Sequence, residues 1–325
     1  MSIGEAGNQS RIAVILINMG GPAALDKIRS FMFNLFNDRH IMDMPQPFRA
    51  LVAQIIVAVR TPNVKHHYSL IGGRSPLMQW TERQGTLIEA ELKMKFPNLK
   101  IGFAYSYIEP SIGEAIEKAV ADGADKIIAV PLYPYYSVST LGSIYTGLEK
   151  ARRKHELGDK LRITRPFYDH PKFIDGTIDL LKEAIGKVDI TEPYHVLFTA
   201  HALPESFILK GDPYRSQVER TVALILQNFP TKNTFLSFQS KIGPVAWMKP
   251  STIETVKRLG KEGVKQLVVM PLGFVCDHIE TLYELDIELA GIAKEAGIMQ
   301  FVRGRVFNDH SAFITLLGAL IEECL

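Results

Sequence analysis

Short apolar, β-branched runs alternate along the chain with stretches whose apolar positions recur at helical spacing. The runs at residues 12–18, 100–105, 126–130, 195–200, 234–238 and 266–270 predict strands. Helical patterns lie between most of them, so the pattern predicts an α/β protein of parallel sheets with crossover helices. Residues 110–132 (PSIGEAIEKAVADGADKIIAVPL) align without a gap on residues 250–272 (PSTIETVKRLGKEGVKQLVVMPL). Each copy has a Pro-Ser helix start with Glu three residues after the Ser, in capping-box spacing. A helix, a turn Gly and a buried strand ending at Pro follow. Two similar α/β units are therefore expected. The boundary falls near residues 166–170, giving a first domain over 11–167 and a second over 168–305. Residues 306–325, with a helix at 311–324, are expected to pack back on the first domain.

Length agrees with this division, since 325 residues exceed one small core. With 46% hydrophobic and 22% charged residues the chain is globular rather than disordered. A net charge of +2, without a basic run, gives no sign of a nucleic-acid partner. Cys276 and Cys324 lack the spacing of a zinc or iron–sulfur ligand set and fit a reducing, cytoplasmic setting. Residues 1–10 resemble neither a secretory signal nor a transit peptide. The longest apolar run, 51–59, is far short of the roughly 20 residues a spanning helix needs.

The chemistry is expected beyond the carboxyl ends of the strands, where loops and helix N-termini converge in parallel sheets. Six unusual peptides follow predicted strands: residues 18–22, 105–107, 133–140, 200–204, 239–241 and 273–288. The simplest picture is one cleft lined by all six. Asp277, Glu280, Glu284 and Glu288, spaced 3, 4 and 4, predict an acidic stripe on one helix face, without lysines at complementary positions. Hard carboxylate oxygens suit a divalent cation, though a solvated face is the plainer alternative. His201 ends a buried strand, at a functional position or as a structural cap. His278 is a candidate support for Asp277 or Glu280. The Gly20-Gly21-Pro22 turn is no nucleotide-binding fingerprint. Gly72-Gly73-Arg74-Ser75-Pro76 predicts a tight turn with Ser75 as N-cap. Residues 41–60, with Met42, Met44, Phe48, Leu51 and Ile55, form either plain core or an apolar lip.

Taken together these peptides resemble the ferrochelatases, over nearly the whole chain. The matching residues are 16–22, 71–77, 133–134 with 137–142, 199–204, 238–244 with Trp247, and 277–284. The resemblance implies two similar Rossmann-like domains, each a parallel sheet flanked by helices, with a porphyrin cleft between them, and an enzyme that inserts Fe2+ into protoporphyrin IX. It makes His201 and Glu280 the essential pair for metal and protons. It assigns Met19, Arg60, Tyr68, Ser75, Tyr107, Tyr133, Ser137, Trp247 and Phe274 to the porphyrin, with Arg60 and the hydroxyls facing its propionates. Asp277, His278, Glu284 and Glu288 fall on the metal side.

Met19 looks like the protoporphyrin type rather than the coproporphyrin type, which tends to carry Tyr there. Val138 occupies the place of an iron–sulfur cysteine of some members, so no cluster or other cofactor is expected, and iron enters as a substrate. The apolar lip at 41–60, within the porphyrin-lip segment 41–76 of the first domain, is expected to make peripheral contact with the inner face of the cell membrane, for a monomer or homodimer. The alternatives left open are a non-catalytic tetrapyrrole or metal carrier and a chelatase for another metal or tetrapyrrole.

Overall fold

β-Branched and leucine residues dominate β1 (Ile12–Asn18), whose side chains are almost wholly buried, as expected of a central strand covered on both faces. The computed structural model describes residues 10–241, 243 and 245–325; residues 1–9, and Ile242 and Pro244 of the 238–244 peptide, lie outside that description. After β1 come α1 (Ile28–Phe36), α2 (Phe48–Leu70), α3 (Leu77–Leu92), β2 (Leu99–Tyr105), α4 (Ile112–Ala121), β3 (Lys126–Pro131), α5 (Ser143–Lys154) and β4 (Leu161–Ile163). The four strands make one all-parallel sheet in the order β2-β1-β3-β4.

The second sheet repeats that plan. Its elements are α6 (Pro171–Ile185), β5 (Tyr194–His201), α7 (Glu205–Leu209), α8 (Tyr214–Asn228), β6 (Thr234–Gln239), α9 (Thr252–Lys261), β7 (Gln266–Pro271), α10 (Ile279–Leu282), α11 (Ala290–Glu295) and β8 (Gln300–Arg303). The strands are again all parallel, in the order β6-β5-β7-β8. The final helix, α12 (Ser311–Glu322), packs on α3 and β3. The described residues thus divide into one unit of residues 10–133, 137–166 and 309–325 and another within 134–136 and 167–308.

Among the described residues, six of the eight strands follow the sequence pattern. β4 and β8, of three and four residues, are too short to show a period. The aligned repeat is structural: α4 and β3 in the first unit correspond to α9 and β7 in the second. Gly123 and Gly263 make the intervening turns at φ +72° and +89°, a region that favours glycine. The copies differ at their caps. Ser111 Oγ accepts from the Glu114 N–H at 3.3 Å while Glu114 accepts from the Ser111 N–H at 2.7 Å, closing the predicted box. The box predicted at Ser251 does not form; Glu254 instead faces Lys241 at 3.4 Å.

Each unit also carries a π-helical turn between its third and fourth strands, Val138–Gly142 before α5 and Glu284–Leu289 before α11. No helix among the described residues is long and apolar enough to cross a membrane.

Candidate active site

β5 delivers His201 to the carboxyl end of the second sheet, where the neighbouring strands β6 and β7 end in Gln239 and in the loop leading to α10. Strand order alone therefore gathers three of the unusual peptides, and the loop after β5 is tied to β6 by the Ala202 N–H donating to the Gln239 carbonyl at 2.8 Å. The His201 Nδ1–H donates to the Ala202 carbonyl, an acceptor only. That fixes the tautomer and leaves the Nε2 lone pair free for a proton or a metal. Burial lowers the pKa of this imidazole, more than the nearby Glu280 carboxylate raises it. Near neutrality His201 is a free base.

Glu280 stands in the first turn of α10, with His278 as the residue before the helix. His278 Nδ1–H donates to the Cys276 carbonyl at 3.0 Å, and His278 Nε2 lies 3.0 Å from Glu280 Oε2. Both ring nitrogens thus face oxygen acceptors, which favours the imidazolium. Burial alone would lower the His278 pKa, but Glu280, with Asp277 and Glu284 beyond it, raises it. Burial likewise disfavours the Glu280 carboxylate; the His278 imidazolium overcomes this, with His201 adding to it only once protonated, and the carboxyl is held well below the ordinary range. The ion pair is close, yet Glu280 Oε2 makes no hydrogen bond.

The predicted stripe is only partly present. Glu280, Glu284 and Glu288 do form a row, but α10 ends at Leu282 and beyond Tyr283 the backbone continues as the π turn, where the Glu288 N–H donates to the Tyr283 carbonyl at 2.9 Å. Glu284 accepts from Ser240 Oγ and, at 3.2 Å, from Gln239 Nε2. Burial and then the Glu280 charge raise the Glu284 pKa. Glu288 is exposed. Asp277 is not in the row: it precedes the helix, and Arg303 of β8 lies 3.1 Å from its Oδ1.

Thr199 Oγ1 donates to Gln239 Oε1 at 3.1 Å, which turns the Gln239 amide nitrogen toward the Glu280 carbonyl at 3.0 Å. Gln239 and Ser240 thus hold the acidic row; they lay inside a singled-out peptide but were not assigned to the site. Ser240 does so with φ +69°, which few non-glycine residues adopt. Trp247 is paired with Pro204 in the segment after His201. The Phe274 ring lies 5.0 Å from that of His278. Among the described residues no group of three or more His, Cys, Asp or Glu side chains is arranged to hold a metal ion.

In the first unit the same logic gathers the loops after β2, β1 and β3. The Tyr107 N–H donates to the Met19 carbonyl at 3.2 Å, and the buried Tyr107 hydroxyl donates to Asp38 at 3.0 Å. Burial and then the Asp38 charge raise the Tyr107 pKa, with Tyr133 contributing, so both tyrosines are neighbours and Tyr107 stays a phenol. Pro76, not the predicted Ser75, stands at the N-cap of α3; Ser75 Oγ, one residue earlier, accepts from the Leu77 N–H at 3.3 Å.

A Cβ on Gly21 would come within 2.5 Å of Ser75, so the Gly-Gly-Pro turn serves close packing and not a phosphate. Ser137, wholly buried, caps the π turn by accepting from the Ser139 N–H. Tyr68 is buried on α2, and the half-exposed Arg60 stands 6.0 Å from the Phe36 ring centroid. Asp38 and Arg303 carried no local signal in sequence.

An α/β protein of two matching parallel sheets, each with buried polar side chains at its carboxyl end, has the architecture of chelatases. The sirohydrochlorin chelatase SirB of Bacillus subtilis subspecies spizizenii, solved with cobalt, superimposes with a TM-score of 0.54 over 97% of this chain and 95% of that one, at 12% identity. This likeness shows the fold. The ferrochelatase family profile matches residues 11–325, and the chain belongs to that family. The ferrochelatase of Aquifex aeolicus is 38% identical over 311 residues, 95% of this chain and 98% of that one. That of a Picosynechococcus species is 38% identical over 320 residues, 97% of this chain and 83% of its own. The protein is an enzyme that inserts a metal ion into a porphyrin.

Proposed function

We propose that the reaction is insertion of Fe2+ into protoporphyrin IX to give protohaem, the closing step of haem formation. The observation that carries this reading is the pairing of a free-base imidazole with a carboxylate kept ionised beside it. Metallation breaks two pyrrole N–H bonds, leaves both electron pairs on nitrogen for the metal, and releases two protons. His201 Nε2, with Nδ1 engaged by Ala202, accepts those protons in turn and passes them to solvent. Glu280 and Glu284, with Glu288 outermost, bring the cation in; Glu280 stays anionic because His278 offsets its burial.

Met19, Arg60, Tyr68, Ser75, Tyr107, Tyr133, Ser137, Trp247 and Phe274 are, in this reading, the residues that take the macrocycle. Apolar and aromatic surface grips its plane, and Arg60 receives its carboxylates. Met19 at the end of β1 supports protoporphyrin over a more carboxylated relative, because a thioether offers apolar contact and no donor.

The test is anaerobic loss of porphyrin fluorescence with ferrous iron, protoporphyrin IX being compared with coproporphyrin III. His201→Ala and Glu280→Gln are each expected to lower kcat at least about 100-fold, the span general acid–base groups supply, with porphyrin binding retained. Native turnover in either variant sinks the assignment of that residue.

The enzyme works as a peripheral protein on a lipid surface in this reading. Phe48, Leu51, Ile55 and Val59, spaced 3, 4 and 4 along α2, are 62%, 57%, 56% and 74% exposed. Such a stripe suits the boundary between headgroups and acyl chains. In liposome flotation the native chain is expected to float and the Leu51→Ser/Ile55→Ser double variant to stay behind. Equal recovery of both at the bottom overturns the membrane contact.

A further inference from the structure

The segment that carries His278, Glu280 and Glu284 has little to hold it in place by itself. α10 is four residues long, too short to persist without outside contacts, and the π turn that follows is wider and less regular than an α-helix. It also concentrates five carboxylates between Asp277 and Glu288, which repel one another. Both ends of this segment meet one cation. Arg303 donates from Nε and Nη2 to the two oxygens of Asp286 at 2.8 and 2.6 Å, and its Nη1 lies 3.1 Å from Asp277 Oδ1. The Arg303 side chain is only 13% exposed.

Asp277 is fixed further: its backbone N–H donates to Asn308 Oδ1 and its Oδ2 accepts from Asn308 Nδ2, each at 2.8 Å. The Thr281 hydroxyl donates to Asp277 Oδ1 at 2.8 Å and accepts from the His278 N–H at 3.1 Å. Asp277 stands three residues before Glu280 and Asp286 two residues after Glu284, so the guanidinium brackets Glu280 and Glu284 from β8.

We infer that Arg303 is a positioning residue for metal insertion: through Asp277 and Asp286 it sets where Glu280 and Glu284 present their carboxylates to the incoming cation. It also occupies Asp277, which leaves the metal to the row that remains. A planar fork is required, since a lysine ammonium at the same place reaches one carboxylate at a time. The inference rests on the reading that Glu280 handles the metal.

The full chain is compared in four variants, Arg303→Lys, Arg303→Met, the double variant Asp277→Asn/Arg303→Met, and Glu280→Gln. Steady-state rates are measured anaerobically with Fe2+ varied at saturating protoporphyrin and the reverse. Arg303→Met is expected to lose kcat/KM for Fe2+ at least tenfold with the porphyrin KM moved less than twofold, and Arg303→Lys to recover part of it. The double variant holds no buried unpaired charge, so it remains informative should Arg303→Met fold poorly by thermal melt.

Were Arg303 only balancing Asp277, the double variant would regain native Fe2+ kinetics, and the inference would be overturned. Native Fe2+ kinetics in folded Arg303→Met, or equal losses toward both substrates, overturn it too. Glu280→Gln separates the layers: if it is inactive while Arg303→Met is native, the clamp alone fails, and if it turns over normally the metal assignment falls and the clamp with it.

Discussion

The two histidines at the centre of the second unit differ in charge for reasons visible in their neighbours. His201 has an acceptor on one nitrogen and burial against protonation; His278 has acceptors on both nitrogens. The His278–Glu280 pair also makes stability depend on pH. A raised imidazole pKa contributes stability in full below its ordinary value of 6.5 and loses it as pH rises through the raised value. A depressed carboxyl pKa contributes in full above its ordinary 4.5 and loses it as pH falls through the depressed value. Between about 4.5 and 6.5 both contributions are complete. Replacing His278 by Gln leaves Glu280 buried without its cation, which costs about 3 kcal/mol at pH 5.5. The gap between native and His278→Gln in urea unfolding is expected to narrow by pH 9. A gap equal at both pH values would contradict the ion pair.

Among the elements, the two copies of the helix–strand repeat offer an internal control. Ser111→Ala opens a closed capping box and is expected to lower stability by about 1 kcal/mol, whereas Ser251→Ala, at a box that never closes, is expected to cost a few tenths. Chemical denaturation of the two variants decides it; equal losses would mean that the Lys241–Glu254 pair does not compete for the cap. That difference was not legible in sequence, because Ser, Glu and spacing are the same in both copies and only the tertiary placement of Lys241 separates them.

The strands with a clear apolar run, the repeat and the turn at residues 72–76 were legible, since each rests on local pattern. The short strands β4 and β8, the π turn and the Arg303 clamp were not: a π turn has no composition of its own, and Arg303 meets its carboxylates only through sheet order. Thr281, Leu285, Leu289 and Ala293 are buried at steps of four. An α-helix rotates such a row by about 40° at each step. The wider turn takes back part of that drift and keeps apolar residues facing inward while Glu280 and Glu284 stay together.

At the scale of the molecule, the first unit is assembled from segments far apart in sequence. α12 buries Leu316, Leu317, Leu320 and Ile321 and packs on α3 and β3, with Lys95 paired to Glu322 at 2.5 Å. Leu317→Ala removes a fully buried side chain and is expected to cost about 3 kcal/mol. Hydrogen exchange should show the loss first in the amides of β1 and β3. Protection unchanged in those strands would mean that α12 is dispensable to the first sheet.

The split of the first unit also orders events during synthesis. Residues 167–308 leave the ribosome before α12 does, so the second sheet has all of its strands while the first still lacks a covering helix. The usual sequence, in which the N-terminal part of a chain matures earliest, is inverted here, and the nascent first sheet keeps the face that α12 covers bare until that helix has emerged.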